Sequence, residues 1–211
     1  MSPRIPSCRA SFLVSTFHFG SATIEITATR DAAVADAWVR GLRASHRPPA
    51  GRRRVVGLDC KWNHRPSPAW MAPKVAVLQL CAGSSCLLLQ LLYVGRVPEA
   101  VRGFLGAPDV RFVGVGAGEA AARLAGDHGL LCAAPVDLES RCCEYLGLAV
   151  DGAGTMGLKG FAKEVLGLTM EKPVSVAMSD WEKHDLDMAQ IKYACVDAYV
   201  SCRLGQKVLG D

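Results

Sequence analysis

The sequence predicts an α/β sandwich, a mixed β-sheet flanked by helices, and three observations carry that prediction. Strand-like segments come first, strands alternating with helices follow, and the last third is helical in pattern. The apolar runs at 55–58, 74–81 and 86–92 are short and bounded by turn residues, as buried strands are. Half of the 211 residues are hydrophobic, enough for one substantial core. The expected organisation is one domain over residues 11–211 behind a flexible N-terminus of residues 1–10.

Each element has a local reason. Residues 11–19 and 23–29 are rich in β-branched and aromatic side chains, and Gly20-Ser21 between them predicts a hairpin. Asp31 reads as the N-cap of a helix through Ala44, with Val34, Trp38 and Leu42 four apart on one face. A strand over 55–59 follows, then two apolar runs turned by Gly83-Ser84-Ser85, together a three-stranded antiparallel set. A helix near 98–105, a strand over 110–115, a helix over 119–129 and a short strand at 136–138 come next. Segments 140–146, 157–166 and 187–209 are helical in pattern, and no internal repeat is present.

Charge and cysteine usage narrow the class. A net charge of +4 permits nucleic acid as a partner without requiring it. Its distribution is uneven: Arg40, Arg43, Arg47, Arg52, Arg53 and Arg54 occur with no intervening acid, so a phosphate-facing basic loop and a solvated linker are both open readings. Nine cysteines are scattered through apolar runs without a C-x-x-C spacing, which supports neither zinc nor a disulfide scaffold and predicts buried reduced thiols. No apolar run approaches the roughly 18 residues of a membrane span, and no signal-peptide core is evident, so no membrane partner and a nuclear or cytosolic location are expected.

The chemistry concentrates at Leu58-Asp59-Cys60-Lys61-Trp62. Side chains alternate along a strand, so Asp59 and Lys61 share one face and Cys60 takes the other. A carboxylate and an ammonium are thereby placed side by side. Further on, Tyr193 and Asp197 are four residues apart and therefore share one helix face.

Three ordered segments carry a resemblance. Val56-Gly57-Leu58-Asp59-Cys60-Lys61-Trp62 with the following run 74–81 is similar to the first motif of the 3′-5′ exonuclease superfamily that includes ribonuclease D. Phe112-Val113-Gly114-Val115-Gly116 with Arg123-Leu124 resembles the second motif. Ser179-Asp180-Trp181 and residues 190–199 resemble the third. Within that superfamily the chain looks most like the Werner-syndrome-type exonuclease domain of plants and animals, of the DEDDy type that uses four carboxylates and a tyrosine. The resemblance runs from about residue 11 to the C-terminus and implies a ribonuclease-H-like fold.

It also implies a chemistry. Two Mg²⁺ or Mn²⁺ ions about 4 Å apart hold the scissile phosphate, and several carboxylates must offset their charge. Asp59 matches the first carboxylate and Asp197 the last, which makes them the metal ligands if any metal binds. Tyr193 matches the tyrosine that orients the attacking water. Two positions depart from the pattern. Lys61 stands at the position of the second carboxylate and Ala120 at that of the third. Glu119 is the obvious substitute, but neighbouring helical positions point about 100° apart, so it should miss the site. An ammonium roughly 4 Å from a divalent ion costs ~8 kcal/mol at an effective dielectric near 20, before relaxation. Lys61 is therefore expected to bridge Asp59 and Asp197 in place of a metal.

The remaining candidates have ordinary explanations beside the functional ones. Trp62 and Trp70 flank a Pro-rich loop and could stack on bases, although anchoring that loop is the commoner role. His64 and His128 lie in loops and carry no companion ligands; His184, near Trp181 and Asp185, could be read as a general base, but Tyr193 already fills the tyrosine position, so a surface role is expected. Gly114 to Gly118 lacks the full G-x-G-x-x-G of a phosphate loop and reads as a tight strand-to-helix turn. Cys142-Cys143 fits a helical core face better than a redox pair. Three functions follow: a nucleic-acid-binding pseudo-exonuclease holding DNA or RNA through Arg52, Arg53, Arg54 and Trp62; an active Mg²⁺- or Mn²⁺-dependent 3′-5′ exonuclease; or a protein-interaction or self-assembling subunit, in which a homo-oligomer or protein partner replaces the substrate.

Overall fold

In the computed structural model, residues 11–45, 51–64, 72–149 and 156–210 are described. They form seven strands and seven helices. The strands are β1 (Phe12–Phe19), β2 (Ala22–Thr29), β3 (Arg54–Lys61), β4 (Val77–Ala82), β5 (Ser85–Gln90), β6 (Val110–Gly114) and β7 (Pro135–Asp137). The helices are α1 (Ala32–Ser45), α2 (Glu99–Leu105), α3 (Ala117–His128), α4 (Leu138–Leu146), α5 (Gly157–Leu166), α6 (Val174–Ala177) and α7 (Met188–Val208).

One sheet holds every strand, in the order β1-β2-β5-β4-β3-β6-β7. The expected antiparallel set is present, since β4 pairs antiparallel with both β3 and β5. Parallel pairs join β2 to β5, β3 to β6 and β6 to β7, which makes the sheet mixed. The hairpin turn at Gly20 takes a φ of 59°, the left-handed conformation that favours glycine there. Two differences from the sequence reading are small: α6 is an extra single turn, and α1 buries Ala35 and Val39 most deeply, with Trp38 and Leu42 packed beside them.

The central strands are buried on both faces, and successive residues serve opposite layers. Val55, Val77, Cys81 and Leu88 pack with α4, α5 and α7. Val56, Leu58, Cys60, Leu78 and Leu80 pack with α1, α2 and α3. Helix α7 lies close on β3 because Gly57 has no side chain: a Cβ there would come 1.9 Å from the Ala198 carbonyl oxygen. Two turns further along, Gly205 lets α7 approach β6 and the start of β3, since a Cβ there would come 2.7 Å from Val113 Cγ2 and 3.0 Å from Val55 Cγ1. The start of α7 is fixed by a capping box, in which the Asp187 carboxylate accepts from the Gln190 amide and the Gln190 side chain accepts from the Asp187 amide.

One expectation is overturned. Cys81 and Cys86 sit directly opposite each other in the β4–β5 hairpin and are joined as a disulfide, where separate reduced thiols were expected. The antiparallel register brings their Cα atoms to 4.2 Å, within reach of a bridge. The other described cysteines are free, and Cys142 and Cys143 lie fully buried on the core side of α4 as expected. Burial pushes the Cys142 thiol up to about 12, so it carries no thiolate near neutral pH.

Candidate functional site

The crossing of α7 over β3 builds the site. Because Gly57 lets the helix down onto the strand, Asp197, one residue before Ala198, arrives beside Asp59, two residues beyond Gly57. Strand alternation puts Asp59 and Lys61 on this α7 side, while Cys60 packs into the opposite layer. Helical spacing puts Tyr193 one turn before Asp197.

Lys61 occupies the middle. Its Nζ lies 2.5 Å from Asp59 Oδ2 and 2.7 Å from Asp197 Oδ2, donating to both. The Asp197 side chain is 1 % exposed, and those of Lys61 and Asp59 are 14 % and 26 % exposed. Burial alone would lower the lysine's affinity for its proton, but the two carboxylates outweigh it and hold the ammonium far above its ordinary range. Burial also lifts the Asp59 carboxyl above the usual carboxylate value, with Lys61 pulling against it and Asp197 reinforcing it.

Two partners of this pair escaped the sequence reading. Lys172 Nζ approaches Asp197 Oδ1 to 3.1 Å, although that oxygen has no well-aligned hydrogen-bond donor. Gln79, fully buried on β4 and directly opposite Asp59, donates to Asp59 Oδ2 at 3.2 Å and to the Ala194 carbonyl at 3.3 Å when its amide nitrogen faces them. Gln79 is the one polar residue among the apolar residues 75–81, which is a usable signal. Lys172 sits alone in a loop and offers none. The Tyr193 ring stands 5.0 Å from the Lys61 ammonium and 5.3 Å from that of Lys172, and Trp181 closes the same side 5.9 Å from Lys61.

A buried latch holds this wall in place. The Asn63 amide donates to Asp180 Oδ1 at 2.7 Å and accepts from the Trp181 backbone N–H at 2.8 Å. Gln190 donates to Ser179 Oγ and to the Asp180 carbonyl. The turn at 179–181 is thus fastened both to the end of β3 and to the first turn of α7.

The other predicted residues fall around or away from this centre. Ala120 is buried on the inner face of α3, and Glu119 points outward to an exposed ion pair with Arg123 at 3.2 Å, so it does not restore the missing carboxylate. Trp62 lies beneath the Arg123 guanidinium, 4.2 Å from the ring centroid. Arg54 opens β3 seven residues before Lys61, about 23 Å away along the strand, and Arg52 and Arg53 precede it. The arginine run therefore lies at the end of β3 remote from the carboxylates. Arg47 and Trp70, with the Pro-rich loop at 65–68, lie outside the described residues. His184 is exposed beside Tyr93, and His128 bonds the Val75 carbonyl. The glycine segment after β6 forms the expected turn, with Gly116 at φ 75° capping α3.

The donors present do not fit a divalent ion. Two carboxylates face each other, but an ammonium stands between them, and the described residues contain no group of three or more His, Cys, Asp or Glu that could hold a metal. Two carboxylates and two ammoniums cancel in formal charge.

Comparisons with known proteins agree with this architecture. Residues 27–209 match the 3′-5′ exonuclease family. The chain is 31% identical over 164 residues to exonuclease 3′-5′ domain-containing protein 2 of Drosophila melanogaster, an alignment covering 75% of this chain and 26% of that protein. It is 27% identical over 157 residues to a 3′-5′ exonuclease of Arabidopsis thaliana, covering 74% of this chain and 52% of that protein. It is also 31% identical over 160 residues to the mouse bifunctional 3′-5′ exonuclease/ATP-dependent helicase WRN, covering 74% of this chain and 11% of that one. The chain thus spans between about a tenth and a half of these relatives' lengths, and they do not single out the plant Werner-type branch. Among solved structures, Escherichia coli ribonuclease D superimposes with a TM-score of 0.68 at 17% identity, over 87% of this chain and 44% of that one, which establishes the ribonuclease-H-like fold.

Proposed function

Because the chain belongs to the 3′-5′ exonuclease domain family, we propose that it is a nucleic-acid-binding member in which an internal ammonium replaces the metals of the hydrolytic centre. The observation that carries this reading is Lys61 Nζ at 2.5 Å and 2.7 Å from the two carboxylates a metal would need. A divalent ion cannot share that space without displacing the ammonium or taking its proton, and the two carboxylates hold that proton tightly. Asp59 and Asp197 here fasten β3 to α7, and Tyr193 lines the wall beside them.

Nucleic acid remains the ligand class for two reasons. With their charge cancelled by Lys61 and Lys172, the carboxylates no longer repel a phosphate backbone as a metal-free cluster of four would. Beside them stands a partly exposed cation, Lys172, and one residue past Lys61 the Trp62–Arg123 stack lies on the α3 side of the sheet; both are groups suited to phosphate and base contacts. Binding is expected to be weak, independent of added metal and to fall steeply with salt.

The test pairs binding with hydrolysis. End-labelled single-stranded DNA and RNA are offered with Mg²⁺ or Mn²⁺ to the native chain and to the Lys61→Glu, Ala120→Asp double variant. The native chain should bind without shortening the strands. The double variant should gain metal-dependent removal of 3′ nucleotides, because both missing carboxylates return. Trimming by the native chain that Asp197→Ala abolishes would overturn the reading, and failure of the native chain to bind either strand at low salt would remove its nucleic-acid half.

A further inference from the structure

The two edges of the sheet are treated differently. At one edge β7 is three residues long, begins with Pro135 and runs straight into α4, so it offers little to a passing strand. At the other edge β1 is eight residues long, Phe12–Phe19, and pairs one-to-one with β2 without a bulge. It contains no proline and no lysine, arginine, aspartate or glutamate. Among the described residues, β1 has a strand on one side only. An edge that long, apolar and uncharged is what soluble proteins ordinarily blunt.

The register shows which backbone groups face outward. The Arg30 N–H donates to the Ser11 carbonyl, and Ser11 lies in step with Leu13, Ser15, Phe17 and Phe19. Antiparallel ladders alternate hydrogen-bonded and non-bonded pairs, so the odd-numbered residues spend their N–H and C=O groups on β2. The even-numbered residues Phe12, Val14, Thr16 and His18 direct theirs away from the sheet. Their side chains lie on the exposed face, with Val14 65 % and Phe12 48 % exposed, while Leu13, Phe17 and Phe19 pack against the core below.

We infer that β1 is a self-pairing edge through which a second copy of this chain adds antiparallel across a two-fold axis at Ser15. That axis sets Phe12 opposite His18 of the second copy, Val14 opposite Thr16, and Ser15 opposite itself. Every outward N–H and C=O of the four even-numbered residues then finds a partner. Exposed side chains stay with exposed ones and core-facing side chains with core-facing ones, so Leu13, Phe17 and Phe19 extend an apolar layer that already exists. Moving the axis to Thr16 would leave Phe12 opposite the turn residue Gly20 and lose part of the ladder. The occupant is a copy of the same strand because an isologous contact needs only complementarity to itself, and the uncharged β1 brings no like charges together. A single-strand edge contact is smaller than the roughly 1,200 Å² of a standard interface, so the dimer should be weak and populated at roughly tens of micromolar.

Sedimentation velocity of the full chain over a concentration series tests this. The native chain should pass from monomer to dimer mass. Thr16→Pro removes an outward N–H without touching the β1–β2 ladder, and should hold the chain monomeric with an unchanged circular dichroism spectrum. Should that variant misfold, the Val14→Lys, Thr16→Lys double variant sets like charges directly opposite each other on the exposed face and should give the same monomer. Ser15→Cys should form a cross-linked dimer under mild oxidation, beyond any seen for the native chain, because only Ser15 meets its own copy. Native protein that stays monomeric to several hundred micromolar, a dimer indifferent to both edge variants, or failure of Ser15→Cys to cross-link would overturn the inference.

Discussion

Replacing Lys61 by alanine removes the ammonium and leaves its two carboxylates facing each other. The two contacts of 2.5 Å and 2.7 Å limit the separation of the carboxylate oxygens to about 5 Å. At that distance and an effective dielectric near 20, like charges repel by about 3 kcal/mol. The protein can escape by protonating Asp59, but from an ordinary value near 3.8 that costs about 4 kcal/mol at pH 7. The loss at pH 7 is therefore bounded at about 3–4 kcal/mol, in line with the cost of breaking a buried ion pair. For a chain of this size that lowers the melting temperature by roughly 10 °C. The pH dependence has a definite sign. With Lys61 gone, the folded-state carboxyl lies above its unfolded value, the folded chain binds the extra proton in that window, and the variant regains stability as the pH falls from 7 toward 4. In the native chain Lys61 stays charged throughout, since its folded-state value lies above the unfolded 10.5 and its contribution is lost only under strong alkali. The vacated space should also accept a cation, so millimolar Mn²⁺ should raise the melting temperature of Lys61→Ala and leave the native chain unchanged. A variant within 1 kcal/mol of native, or a native chain stabilised by Mn²⁺ as strongly as the variant, would refute the ammonium-for-metal reasoning.

Two further predictions concern the frame. Gly57→Ala would place a methyl group 1.9 Å from the Ala198 carbonyl oxygen, so α7 must lift off β3; urea denaturation should show a loss of about 3 kcal/mol or more, with Gly41→Ala, where nothing lies within 4 Å, as the tolerated control. Asp187→Ala removes the N-cap of α7 and should cost about 1 kcal/mol in thermal unfolding. Hydrogen bonds from Lys183 and from the Gln190 amide hold the Asp187 carboxyl below its ordinary 3.8, so its contribution is complete above that value and disappears as the pH falls through the depressed one.

Local geometry made the centre of this site legible before any coordinates. Alternation along β3 set Asp59 and Lys61 on one face, and helical spacing set Tyr193 beside Asp197, because each relation lies within a single element. Relations between elements were harder to read. The Cys81–Cys86 bridge follows from an antiparallel register about the 83–85 turn, which was in view, yet scattered cysteines without paired spacing pointed to free thiols. The landing of α7 on β3 and β6 depends on Gly57 and Gly205, which matter by having no side chain and so add nothing to a hydrophobic pattern. Charge was as hard to place. Arg52, Arg53 and Arg54 draw the eye because they are adjacent in sequence, but adjacency at the start of a strand puts them about 23 Å from its far end. Lys172 belongs to no cluster, yet the loop between α5 and α6 brings it to 3.1 Å from Asp197. Clustering along a chain measures local concentration, whereas the charge balance of a site is set by which loops return to it. Lys61 could be read correctly because the residue that decides the chemistry sits on the same strand as the carboxylate it answers.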